Sequence, residues 1–314
     1  MDLLQPPRGL IVDLVTPLNA DGSLDAEGLD RLIGRVLPHA HALLAAGPSA
    51  GEGFAFDLET RAGIMTRILE AVNGKVPVLM WISSVSPEKT LAGLDYLNQK
   101  ASGFPADRLY WVDTPLYYHS NRGLPAHYDE MARKLERPLI PHNDPDFIAT
   151  LGNPLKRNNI RTAILKELAR MDTIAGLIFS GSMDRARNYQ KASLDRPGFR
   201  IYDHNELNFL DFPSMSGVVS IGANLAPRPW HEITRTSLQR TSGETDYPDF
   251  LRQIWEMGRH VRAMRDIYQE APVAIVKAAL HRMEVISSPR TAVSIGRDIS
   301  GPVEELLKEA KGRF

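Results

Sequence analysis

The chain has no cysteine among its 314 residues. That absence excludes disulfides, thiolate nucleophiles and cysteine-based zinc or iron–sulfur centres. It has no run of about 18 apolar residues, so no membrane span is expected. The opening residues, MDLLQPPRG, carry no long apolar stretch, so no signal peptide is expected either. Neither charge is in excess: 37 basic and 38 acidic residues give a formal net charge of -1, and the two signs are mixed along the chain. Without a basic stripe, nucleic acid and anionic lipid are not expected partners. There is no low-complexity segment and no long linker. These absences lead to the expectation of a soluble, cytoplasmic protein that acts on small molecules.

What is present is alternation. Eight short β-like runs recur: GLIVDLVTP (9–17), HALLAAG (41–47), VPVLMWI (76–82), RLYWVDTP (108–115), RPLIPHN (137–143), IAGLIFS (174–180), FRIYDHN (199–205) and GVVSIGA (217–223). Several are nearly continuous apolar runs, the pattern of parallel strands buried on both faces. Amphipathic helical segments lie between most of them. The first is 25–37, with Leu29, Leu32, Ile33 and Val36 on one stripe. Others are expected over 57–72, 87–98, 124–135, 158–171, 182–191, 206–212 and 228–241. Eight β–α units over about 240 residues predict a TIM (β/α)8 barrel, an α/β fold. A doubly wound sheet would show G-x-G-x-x-G after its first strand, and this chain has VTPLNADGS there. Helical runs over 247–269, 272–287 and 299–311 predict a C-terminal helical appendage. The expected division is a barrel over 1–242 and a helical region over 243–314.

Barrel enzymes place their chemistry at the C-terminal ends of the strands. Here those ends supply Thr16, Ser49, Glu52, Ser83, Ser84, Asp113, Thr114, Tyr117, Tyr118, His142, Asn143, Asp144, Asp203, His204, Asn205, Glu206, Ser220 and Asn224. One such residue alone more often caps a helix or steadies a turn. Many converging favour a small-molecule pocket. The segment GPSAGEGF (47–54) adds small residues that let backbone N–H groups approach a carboxylate.

With these segments in order, the chain resembles the dihydrodipicolinate synthase and N-acetylneuraminate lyase family of Schiff-base aldolases. IVDLVTPLNADGSLD (11–25) is similar to the family's opening "A-x-x-T-P-F" strand and "D-G-x-[IV]-D" turn. AGPSAGEG (46–53) resembles its "G-T-T-G-E" loop, with Gly51 and Glu52 in register. DTPLYYH (113–119) resembles "P-P-Y-Y", and PHNDP (141–145) resembles "Y-N-x-P". AGLIFSGS (175–182) resembles the strand "[IV]-x-G-[IL]-K-[DE]-[AST]-[ST]-G". GVVSIGANLAP (217–227) and APVAIVKAAL (271–280) resemble two further family segments. The resemblance implies a barrel with a helical C-terminal domain, assembled as a homo-oligomer, dimer or tetramer. It implies a lysine that forms an imine with pyruvate or a related 2-keto acid, a tyrosine that moves protons, and a loop that holds the keto-acid carboxylate. Condensation with an amine makes the electron sink for carbanion chemistry, and the amine's pKa must be lowered for some of it to be neutral. No cofactor and no metal ligand are implied.

Carried onto this sequence, the lysine position is Ile178, which cannot form an imine, and the tyrosine position is His142. The two hydroxyl positions of the carboxylate loop are Ser49 and Ala50, followed by Gly51 and Glu52. An arginine that several synthases carry falls near Phe147. Tyr118 stands at the family tyrosine that reaches into a neighbouring subunit. Val219 would face the keto acid through its backbone carbonyl. Among other lysines, Lys156 lies in the loop after the fifth strand, Lys166 in the next helix on a polar stretch, and Lys277 in the helical region, where a structural role is expected. Losing a catalytic nucleophile typically costs on the order of a million-fold in turnover.

Three readings follow. The first is a lyase or aldolase of this family binding a small 2-keto or sugar acid at the barrel mouth, without the usual lysine–pyruvate imine. The second is a non-catalytic carboxylate-binding pseudoenzyme or sensor. The third is a metal-assisted lyase or hydratase using residues drawn from His142, His204, Asp113, Asp203 and Glu206.

Overall fold

A computed structural model describes residues 5–152, 157–214, 216–239 and 247–310. Eight parallel strands close into a barrel in sequence order: β1 (Gly9–Asp13), β2 (Ala42–Ala45), β3 (Val78–Trp81), β4 (Leu109–Asp113), β5 (Leu139–Asn143), β6 (Gly176–Phe179), β7 (Arg200–Asp203) and β8 (Gly217–Ser220). The expected TIM barrel is therefore the fold observed.

The continuous apolar runs serve two cores, because alternate side chains of a strand face opposite ways. One set packs outward under the helices, including Leu10, Val12, Leu43, Met80, Trp111, Leu177 and Phe179. The other fills the barrel interior: Ile11, Leu44, Leu79, Val112, Ile140, Ile178, Tyr202 and Val219, with Trp81 and Tyr110. Closure between β1 and β8 needs glycine at Gly217. Its φ is +121°, and a Cβ there would lie 1.9 Å from the Gly9 carbonyl oxygen.

The surrounding helices are α1 (Ala26–Val36), α2 (Leu58–Val72), α3 (Pro87–Lys100), α4 (Pro115–Tyr118), α5 (Leu124–Ala132), α6 (Pro145–Thr150), α7 (Thr162–Leu168), α8 (Met183–Ala192), α9 (Glu206–Asp211) and α10 (Pro227–Gln239). Their starts follow local chemistry. Asp25, Asp57 and Ser86 each accept a hydrogen bond from the backbone N–H three residues on, and Pro87 opens α3. The short helices α4 and α6, directly after β4 and β5, occupy stretches that look like plain loops in the sequence. Each has proline at its opening position, and Asp144 caps α6 by accepting from Phe147 N.

Beyond the barrel run α11 (Tyr247–Tyr268), α12 (Pro272–Arg282) and α13 (Ser300–Ala310). α12 ends five residues before the expected 287. Glu284, at φ +59°, stops it. None of the described helices is long and apolar enough to cross a membrane. Lys156 lies outside the described residues.

Candidate functional site

The period of two along each strand stacks a second layer above the apolar interior. Two residues beyond Ile11 is Asp13, beyond Val112 is Thr114, beyond Ile140 is His142, beyond Ile178 is Ser180, and beyond Tyr202 is His204. The interior is apolar below and hydrogen-bonding above. A cavity of about 750 Å3 opens over this layer, with Asp13, Ser49, Ala50, Tyr117, Asp144, Ser180, His204, Glu206 and Val219 around it. α11 and the start of α12 close one side, through Arg265, Tyr268, Gln269, Pro272 and Val273.

A chain of hydrogen-bonding groups crosses the floor. Trp81 Nε1 donates to Thr114 Oγ1 at 2.9 Å, and that oxygen lies 3.3 Å from His142 Nδ1. His142 Nε2 is 3.0 Å from His204 Nδ1, and His204 Nε2 is 3.0 Å from Asp13 Oδ2. His142 is fully buried, and Asp13 nearly so. Burial pushes the Asp13 carboxyl up, against the opposing pull of His204. Burial works to lower His204, but its bond to Asp13 together with the charges of Asp13, Asp144 and Glu206 leaves it raised. His142 is held well below its ordinary value by burial and by the charge of His204. Asp144 is pushed up by burial, yet His142 and His204 together bring it below the usual carboxylate range. The Asp13 Oδ1 atom is buried without a hydrogen-bond partner among the described residues.

The residues singled out from the sequence separate into three places. Ser49, Ala50 and Val219 line the cavity. Ile178 and His142 are Cα partners across β5 and β6, and both are fully buried beneath it. No primary amine of the described residues stands at this floor; the strand positions there carry Asp13, His142, Ser180 and His204. Gly51, Glu52 and Tyr118 are turned to other partners. Gly51 gives its carbonyl oxygen to Thr16 Oγ1 at 2.7 Å, and a Cβ on it would meet Gly47 N at 2.4 Å. Glu52 accepts from Lys277 Nζ at 2.5 Å and from Ala292 N at 2.6 Å, fastening the loop after β2 to the C-terminal helices. Burial lowers the Lys277 amine, with Glu52 opposing. Tyr118 donates to Asp113 Oδ2 at 2.9 Å within its own chain, beside His127.

Of the five residues in the metal-assisted reading, His142 and His204 come together, and Asp144 joins them. Asp113 is instead held by Ser83, Tyr118 and Tyr128. Asp203 bonds Ser214 N, and Glu206 is held by Ser220, Gly222 N and Tyr268. Asp13 is the residue that sequence reasoning missed. A signal was there: the family's "A-x-x-T-P-F" has alanine where this chain has Asp13.

A closed eight-stranded barrel with a cavity at the C-terminal ends of its strands and helices closing one side is an architecture that aldolase-type barrels share. The chain belongs to the dihydrodipicolinate synthetase family, which it matches over residues 6–309. It is similar to the 4-hydroxy-tetrahydrodipicolinate synthase of Teredinibacter turnerae, at 29% identity over 282 residues covering 88% of each chain. That of Methylococcus capsulatus is 26% identical, over 89% of each. Among solved structures, a monomeric dihydrodipicolinate synthase variant superposes with a TM-score of 0.81 at 22% identity, over 99% of this chain and 98% of that one. The dihydrodipicolinate synthase of Acinetobacter baumannii, in complex with pyruvate, gives 0.78 at 21% identity, over 97% and 99%. At these identities the structural likeness speaks to the fold.

Proposed function

We propose that the protein binds a small 2-keto or sugar acid at the barrel mouth and acts on it as a lyase without forming a lysine imine. One observation carries this reading. A cavity of about 750 Å3 with hydrogen-bonding side chains in its wall lies above the fully buried Ile178, the residue that the family resemblance sets at the nucleophile position. A merely decayed site would be expected to fill with apolar side chains. This one keeps Asp13, Asp144, Ser180 and His204 among apolar neighbours such as Phe147 and Val219.

In the retro-aldol direction, the C3–C4 bond of a 4-hydroxy-2-keto acid breaks. Its electron pair passes to the C2 carbonyl as an enolate. The hydroxyl proton goes to a carboxylate of the cavity wall, and C3 is reprotonated to release pyruvate and an aldehyde. On this reading Ser49 and the backbone beside Ala50 and Val219, all lining the cavity, meet the acid's carboxylate.

The test is a panel of 2-keto, 4-hydroxy-2-keto and sugar acids, followed by thermal shift and by product release. The expected result is stabilisation by at least one acid and turnover of it. Stabilisation without any turnover would favour the pseudoenzyme reading. No response to any acid would overturn both.

A further inference from the structure

We propose that the floor of the cavity is a binding site for a first-row divalent metal ion, with His142 Nε2, His204 Nδ1 and the Asp144 carboxylate as its protein ligands. The three donor atoms lie within 4.8 Å of one another. The two imidazole nitrogens are 3.0 Å apart. Adjacent ligands of an octahedral ion with bonds near 2.1 Å stand about 3.0 Å apart.

The surroundings of each ligand are those of a metal site. An imidazole bound to a metal usually gives its far N–H to a carboxylate or other acceptor, which fixes its tautomer and ring orientation. His204 turns Nε2 to Asp13 Oδ2 at 3.0 Å, and His142 turns Nδ1 to Thr114 Oγ1 at 3.3 Å. In the ion-free protein these two nitrogens share a hydrogen bond of 3.0 Å, and an ion bound there would take the place of its proton. Asp144 is steadied by Phe147 N on Oδ1, while Ser49 Oγ reaches Oδ2 only at 3.5 Å. Two imidazoles and one carboxylate leave open coordination positions toward the cavity, the donor set of reactive rather than structural centres.

Charge points the same way. Among the described residues, the cavity is lined by the carboxylates of Asp13, Asp144, Asp146 and Glu206 against Arg265 and His204. A cation at the floor would offset these carboxylates for an anionic acid entering there. This part of the argument rests on the keto-acid reading above. On that reading the ion takes the acid's carboxylate and C2 carbonyl oxygens, and supplies as a Lewis acid the electron sink that Ile178 cannot.

The experiment uses Co2+ alone, with no acid present, on full-length protein stripped with a chelator. Calorimetry and the visible ligand-field absorption of Co2+ are the readouts. We expect one equivalent bound, with the absorption appearing in step. Asp144→Asn and His204→Asn should each weaken binding by at least 10-fold, and Asp13→Asn by 10- to 100-fold. Circular dichroism confirms that each variant is folded; His142→Gln replaces any that is not. Absence of binding, or affinity unmoved by these folded variants, overturns the metal site. Because no acid is present, failure of the keto-acid reading shows separately, as Co2+ binding intact with no acid stabilising the loaded protein.

Discussion

At the scale of single residues, the decisive positions are those where chemistry and packing compete. Ile178 contributes apolar packing to the barrel interior. His142, its Cα partner on β5, carries a hydrogen-bonding group instead. Lys277 shows the opposite case. It is a fully buried lysine, yet it is spent on Glu52 and on the Arg290 carbonyl oxygen at 2.8 Å, away from the cavity. Removing one member of such a pair leaves the other charge buried and uncompensated. Lys277→Met should therefore destabilise the protein by about 3–5 kcal/mol in urea unfolding. Adding Glu52→Gln should recover a large part of that loss. A cycle in which the two changes simply add would show that the pair is not coupled.

At the scale of elements, the loop after β2 is the most constrained. A Cβ at Gly53 would lie 2.0 Å from the Ala46 carbonyl oxygen and 2.8 Å from the Trp81 ring. Gly53→Ala should lower stability by roughly 1–3 kcal/mol through forced displacement of that backbone. It should also weaken binding of any acid held by Ser49 and Ala50. A melting temperature equal to that of the parent protein would contradict both expectations. The eight strands were legible in the sequence because double-sided burial writes continuous apolar runs. The larger helices were legible from their stripes and caps. The short α4 and α6 were not, since one or two turns leave too little periodicity to read. For the same reason the place of Asp144, at the cap of α6, looked like an ordinary turn residue.

At the scale of the whole molecule, the barrel brings together side chains that are far apart in the chain. Asp13 and His204 are 191 positions apart and meet at the ends of β1 and β7, the two strands that flank β8. Sequence order alone shows that both lie at strand ends. It does not show that His204 reaches Asp13 on one side and His142 on the other, because that depends on strand stagger and on which strand ends face each other. Family membership thus explains the frame. The C-terminal helices take part in this arrangement: α11 closes the cavity with Arg265 and Tyr268, and α12 anchors the loop after β2 through Lys277. The measurement that most directly tests this account is intact-protein mass spectrometry after incubation with pyruvate and borohydride. The account predicts an unchanged mass, with no lysine modified. A stoichiometric reduced pyruvate adduct on any lysine would contradict it, by showing that imine chemistry survives without residue 178.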